Sequence, residues 1–484
     1  MGVATNTAAK RIFLVTLGSF TYAYASSIIG TTLAQPSFVQ YFDLDKRSNA
    51  NQLSGAINGV FQAGGLIGAL ACIPIADDYG RRMGLFVASI FAVIGGALQA
   101  SSVHIAMYLV MRVISGLGVG ALITLSPLYL AEVAPAKIRG RIVGMVGIMI
   151  GIGYSSASWI GFAFYFVHAA NAQWRIPIAI QAIPPLLLGI GIWWLPESPR
   201  WPGLKMFREA HSASHEAEEN NAVDHEFLLL NAQIVMEKDQ SVAFRDLFTR
   251  PSLRRRVLIG FLTLFGSQAA GTQVINNYGP SLYASFGYGT AVTLLIQSGW
   301  ITTIIFGNIA NTLALDKFGR RPLLLFGFSG CVIALIGESV SVSQYQKSGS
   351  QSAVVAAVFF LFLEVAVFSS SIDATTYVFP SEIFPTPARA KGMAVSVAGL
   401  FLASLLILVP APTAFANIQW KYYLLFISMS SVMIIVVYFL FPETKRKSLE
   451  EISALFGDQI QSSLDTEKDV TSSVQVENSA TLHH

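Results

Sequence analysis

Apolar positions in this chain come in long unbroken runs, with none of the strict alternation of a half-buried strand. Twelve runs of roughly 18 to 25 mostly apolar residues occur, near 12–32, 54–76, 83–101, 104–126, 142–166, 175–195, 257–277, 289–314, 322–343, 353–378, 391–416 and 420–441. Each is long enough to cross a bilayer as a helix, the one open-chain structure that satisfies its own backbone polar groups in lipid. The pattern therefore predicts an all-α membrane protein of 12 transmembrane helices. A polar stretch at 196–255, containing EAHSASHEAEENNAVDHEF, separates the sixth run from the seventh and reads as soluble helix. The expected organisation is a short N-terminal segment (1–11), a six-helix bundle (12–195), a cytoplasmic linker (196–255), a second six-helix bundle (256–441) and a tail (442–484) largely disordered after 457.

The basic residues orient this arrangement. Placing both termini and the even-numbered loops on one side collects 25 of the 31 Lys and Arg there. The opposite loops hold Lys46, Arg47, Arg175, Lys347 and Lys421, and Arg112 lies inside a helix. By the positive-inside bias, both termini are cytoplasmic.

Three motifs repeat between the halves. Asp77-x-x-Gly80-Arg81-Arg82 recurs as Asp316-x-x-Gly319-Arg320-Arg321, and Glu132-x-x-Pro135-x-x-x-Arg139 as Glu382-x-x-Pro385-x-x-x-Arg389. Pro196-Glu197-Ser198 recurs as Pro442-Glu443-Thr444. Repeats in register imply two pseudo-twofold bundles with a site between them.

Composition narrows the functional classes. Hydrophobic residues are 53% of the chain and charged residues 12%, about half the charge of a soluble domain. A net charge of +3 gives no reason to expect nucleic acid as a partner. Cys72 and Cys331 both fall in apolar runs and read as small hydrophobes, without a disulfide framework. The first apolar run lacks a small-residue cleavage site and reads as a retained helix. No His, Cys or carboxylate cluster has metal or nucleophile spacing, so an enzyme, a metal site and a cofactor are not expected. The partners implied are a small-molecule solute and the lipid bilayer, with a monomer as the default state.

Arg112-x-x-x-Gly116-x-Gly118-x-Gly120 lies within the fourth predicted helix and Pro127-x-Tyr129-x-x-Glu132 follows it. Trp174-Arg175-x-Pro177-x-x-x-Gln181 opens the sixth, and Pro196-Glu197-Ser198-Pro199-Arg200-Trp201 and Pro442-Glu443-Thr444-Lys445 end the sixth and twelfth. With these motifs the chain resembles the sugar porter family of the major facilitator superfamily, particularly its fungal members, over about residues 11–452. The resemblance implies the major facilitator fold and an ion-pair latch between the halves, made by Asp77, Arg81, Arg82, Glu132, Arg139, Glu197, Arg200, Asp316, Arg320, Arg321, Glu382, Arg389 and Glu443. The plainer reading of the same residues is a set of solvated loops that fix topology. The paired acids favour the latch, because topology alone requires none.

The solute-facing positions depart from the family. Its fifth-helix Gln is Gly147 here, its eighth-helix Asn is Ile304, its tenth-helix Trp is Tyr377 and its eleventh-helix Asn-Trp is Leu400-Phe401. In the seventh helix Gln268 survives, with Gln273, Asn276, Asn277 and Tyr278 following. The resemblance makes Gln268, Gln273, Asn277, Phe368, Asp373 and Tyr377 the candidate solute contacts, although polar side chains in membrane bundles also serve simply to bond helix to helix. The first-helix Asp of proton-linked members is Ala25, leaving Arg112 without its partner and favouring facilitated diffusion.

Buried acids in the later helices need separate accounts. Glu338 is expected near an outer helix end, within reach of water. Ser369, Asp373 and Tyr377, at i, i+4 and i+8, are expected on one stripe facing the path, with Glu364 turned away from it. Asp373 then either binds the solute, carries a coupling proton with Arg112, or is satisfied by Ser370, Thr376 or a seventh-helix amide. Gly271 and Tyr278 are expected to mark a broken outer gate, ended by Gly279-Pro280. The functions compatible with all this are a sugar or polyol carrier, a carrier or exporter of a non-sugar solute such as a fungal secondary metabolite, and, least in keeping with the short tail, a non-transporting sensor. A plasma-membrane location fits an oriented multi-pass carrier.

Overall fold

A computed structural model of the chain describes residues 2–134, 139–167, 169, 171–198, 242–445, 447 and 449–457. Residues 199–241 of the linker, where soluble helix is expected, the tail beyond 457 and the side chains of Arg139 and Arg200 lie outside the described residues. Among those described, 12 helices are long and apolar enough to span a membrane. They are α1 (Lys10–Ala34), α2 (Ala50–Asp78), α3 (Arg81–Ala100), α4 (Ile105–Val133), α5 (Ile142–Tyr165), α6 (Ala172–Trp194), α7 (Pro251–Ser285), α8 (Thr290–Phe318), α9 (Arg320–Ser348), α10 (Gln351–Ile383), α11 (Pro387–Asn417) and α12 (Gln419–Leu440). Each of the twelve apolar runs has become a span, and the packing follows two six-helix bundles. An even number of crossings returns both chain ends to one face.

Small residues bring the helices together. A β-carbon on Gly64 or Gly68 of α2 would meet the α4 backbone at Val113 and Leu117, and one on Gly116 or Gly120 would meet that of α2 at Phe61 and Gly65. With no hydrophobic drive between helices in lipid, this backbone approach supplies the contact. Large apolar side chains such as Phe306, Leu313 and Phe439 point outward and are exposed, as lipid contact requires.

Three local features differ from the sequence expectation. The break in α7 falls at Gly271, whose φ of 94° suits a residue without a β-carbon, and the second part of α7 then runs through Pro280 from Thr272 to Ser285. Pro280 cannot donate to Asn276 four residues earlier. Gln297 of α8 fills that role, its Nε2 lying 3.1 Å from the Asn276 carbonyl and 3.3 Å from that of Ile275. Gly279-Pro280 therefore does not end the segment.

In α10, residues Ser369–Asp373 form a π-helical turn between α-helical stretches, so the stripe through Ser369, Asp373 and Tyr377 is not that of a continuous α-helix. α9 continues to Ser348, five residues past the expected end, because Ser343, Gln344, Gln346 and Lys347 extend it as a polar last turn. Glu338 consequently sits about 15 Å inside the helix end and is fully buried rather than within reach of water.

Candidate functional site

At the face carrying the chain ends, the repeated motifs build two matching networks. Gly80 and Gly319, with φ of 96° and 95°, open α3 and α9 and leave the first N–H groups of each helix facing out. Glu197 accepts from the Arg81 and Arg82 amides at 2.8 and 3.2 Å, and Glu443 accepts from the Arg320 and Arg321 amides at 3.1 and 3.0 Å. A carboxylate at a helix N-terminus also meets the positive end of its dipole. The Arg81 guanidinium binds Asp77 at 2.6 Å and Glu132 at 3.3 Å, and Ser198 donates to Glu132 at 2.6 Å. In the second half, Arg320 binds Glu382 at 2.6 Å and Asp316 at 3.7 Å, while Thr444 donates to Glu382 at 2.8 Å. Each network ties helix ends within its own half. Across the halves, Lys391 lies 3.9 Å from Asp77. Arg389 is buried and donates to the Phe384 carbonyl at 3.3 Å. The sequence found these positions; among the described residues their contacts bind helix ends within each bundle, and the Asp77–Lys391 pair reaches across the cleft.

Midway through the bundles, side chains from both halves converge. Tyr22 of α1 stands among Tyr154 of α5, Tyr377 and Asp373 of α10 and Phe401 of α11, with ring centroids 6.3 Å from Tyr154 and 6.0 Å from Phe401. Asp373 accepts from Nδ2 of Asn308 at 2.8 Å, and the same amide group donates to the Gly147 carbonyl at 2.8 Å. Its partner thus comes from α8, not from Ser370, Thr376 or α7. Asn311, one turn along α8, accepts from Thr375 at 2.9 Å. Gln268 is half-buried and pairs with Ser404 of α11 at 3.4 Å. Phe368 instead packs in the second bundle's own core with Phe328, Cys331 and Ile372, apart from Tyr377. Glu364 is buried against α7, accepting from Thr272 at 2.5 Å.

Asn308, Tyr22 and Tyr154 escaped the sequence reading. The signal for Asn308 was an amide in the middle of an apolar run, where an unpaired polar group is costly.

On the far side of this centre the path is shut. Gln273 donates to Ser26 at 2.8 Å, and Ser27 donates to Asn276 at 2.9 Å, both bonds joining α7 to α1. Tyr278 accepts from Asn58 of α2 at 2.8 Å and donates to the Leu408 carbonyl of α11 at 3.0 Å. Asn277 donates to its own helix, to the Gln273 carbonyl at 2.8 Å, and its Oδ1 stays unpaired. Above Tyr278 opens a cavity of about 390 Å³ between the halves, lined by Leu33, Ser54, Phe286, Tyr345 and Trp420 among others.

Arg112 of α4 is fully buried. It stacks over Phe61 at 4.4 Å and donates to the backbone carbonyls of Ala25 at 3.0 Å and Ile57 at 3.4 Å.

Comparison with known proteins agrees with this geometry. The family described as "Sugar (and other) transporter" matches residues 12–456. The MFS-type transporter criB of Aspergillus cristatus is 32% identical over 459 residues, covering 91% of this chain and 92% of that protein. The quinate permease of Emericella nidulans is 32% identical over 477 residues, covering 92% and 88%. Among solved structures, the proton:xylose symporter XylE bound to 6-bromo-6-deoxy-D-glucose superposes with a TM-score of 0.78 at 25% identity, covering 93% of this chain and 99% of that one. The chain belongs to the sugar transporter family of the major facilitator superfamily, non-catalytic membrane proteins that move small solutes by alternating access.

Proposed function

We propose that the solute is a compact polyhydroxylated ring, a sugar or a sugar-like molecule, bound between Tyr22, Tyr154, Gln268, Gln273, Asn277, Asp373 and Tyr377. The observation that carries this reading is the convergence of three tyrosines and a carboxylate from both halves on one point of the path. Aromatic faces stack on ring carbons while hydroxyls and amides replace the solute's water.

A non-sugar solute is the second reading, and Gly147 favours it. A β-carbon there would meet Ala374 of α10, so helix packs on helix where the family presents a glutamine. At this position the wall offers the solute no polar side chain. One relative is named a quinate permease, which suits a carboxylated ring as much as a sugar. Arg112 bonded to the Ala25 carbonyl gives the first bundle no titrating pair, which supports facilitated diffusion as far as that bundle is concerned. The charge asymmetry supports cytoplasmic termini, and the two networks support a latch that closes the cytoplasmic face through Asp77 and Lys391.

Uptake of labelled hexose, pentose, polyol and quinate in cells lacking their own sugar carriers tests the reading. Saturable uptake of a ring polyol is expected. Transport of none of the four, with the protein at the cell surface, would overturn it.

A further inference from the structure

The second bundle buries two carboxylates that the solute path does not use. Glu338 of α9 and Glu364 of α10 are both fully shielded, as is Tyr283 of α7, and Tyr423 of α12 is 1% exposed. The Tyr423 hydroxyl faces Glu338, and Tyr283 lies in the field of both acids. Glu364 Oε2 and the Tyr283 hydroxyl have no hydrogen-bond partner, and the Glu338 carboxyl is met by the Tyr423 hydroxyl alone. The remaining Glu364 oxygen accepts from Thr272, and Cys331 Sγ lies 4.0 Å from the Glu364 carbonyl. Among the described residues, no Lys, Arg or His acts on either carboxylate.

Two buried acids without a cation, one met only by a tyrosine hydroxyl and the other with an unpaired oxygen, form an arrangement that a low-dielectric interior penalises heavily. Carboxylate and hydroxyl oxygens converging from four helices are the ligand set of a hard cation. With one of the two acids protonated, a single negative charge remains, which one monovalent ion balances. We propose that Glu338, Glu364, Tyr283 and Tyr423 form a binding site for one small monovalent cation, a proton or a sodium ion, inside the second bundle.

The site is placed to act on the gate. Thr272, which donates to Glu364, is the first residue after the Gly271 break, and the segment it opens carries Asn276, Asn277 and Tyr278. Cation binding at Glu364 thus works at the base of the helix that seals the path. This goes beyond the assignment of the solute, and it supplies a route to ion coupling that the Arg112 pair lacks.

Thermal unfolding of the purified full-length chain tests the site without any solute, so the outcome is independent of what the cargo is. Midpoints are compared in sodium chloride and in choline chloride, between about pH 5 and about pH 8. The wild type is expected to gain several degrees with sodium, identifying sodium, or with falling pH alone, identifying the proton. Glu338→Gln should lose that response. Tyr423→Phe, which keeps both acids, should weaken it and covers the case in which Glu338→Gln fails to fold. A wild-type midpoint that responds to neither ion beyond the response of these variants would overturn the proposal.

Discussion

Replacing Tyr278 by Phe removes one hydroxyl and nothing else, and that hydroxyl joins α7 to α2 and α11 across the proposed outer gate. It accepts from Asn58 at 2.8 Å and donates to the Leu408 carbonyl at 3.0 Å. Asn58 is 1% exposed, so in the shut state the variant leaves a buried amide and a carbonyl without partners. Each orphaned group costs about 1–3 kcal/mol, whereas in the open state water satisfies both. Taking about 2 kcal/mol net, the balance moves some 30-fold toward the outward-open form. The assay is the rate at which an impermeant maleimide labels Asn277→Cys, a position 1% exposed in the closed form, with Cys72 and Cys331 replaced by Ala. Tyr278→Phe should raise that rate by roughly 5- to 30-fold. A change smaller than about twofold would mean that these bonds do not hold the gate, and the assignment of Tyr278 would fail.

Other expectations follow from single contacts. Gly147→Ala places a β-carbon against that of Ala374 and should cost about 1–3 kcal/mol of stability, with Ala374→Gly in the same chain restoring the unfolding midpoint. Glu132→Gln takes from the nearly buried Arg81 a partner at 3.3 Å and should lower the midpoint by the equivalent of about 1–3 kcal/mol, whereas Asp43→Asn, which breaks the exposed pair with Lys46, should leave it unchanged. Asp373→Asn keeps the shape of the centre but removes its charge opposite Asn308. Solute affinity should fall at least tenfold, as for loss of a charged hydrogen bond worth about 1.5–3 kcal/mol, and uptake unchanged from about pH 5 to about pH 8 would exclude both solute binding and ion transfer at this residue.

The parts of this protein legible in its sequence are those written in one dimension. Hydropathy located all twelve spans because lipid demands an unbroken apolar helix. The motifs located Arg81, Glu132, Glu197 and their counterparts because a carboxylate at a helix start and an Arg four residues after an Asp are local devices. What those acids clamp was not legible, since Glu132 and Glu197 reach Arg81 only through the packing of three helices within one half. Asp373 was singled out as a charge in an apolar run, but its partner Asn308 lies 65 residues away, and the π turn that aims it has no marker in residue type. Glu338 was misjudged because polar residues after 340 resemble a loop, while in a helix leaving the membrane they are simply its wet end.

The account rests on a path that must open at Tyr278 and the α1–α7 contact before a solute can cross. Ser27 and Asn276, 2.9 Å apart across that contact, can be replaced together as Ser27→Cys and Asn276→Cys and joined by mild oxidation. Transport should then stop and return on reduction, while either single cysteine variant is insensitive to oxidant. Undiminished uptake through a fully cross-linked gate would contradict alternating access at this site.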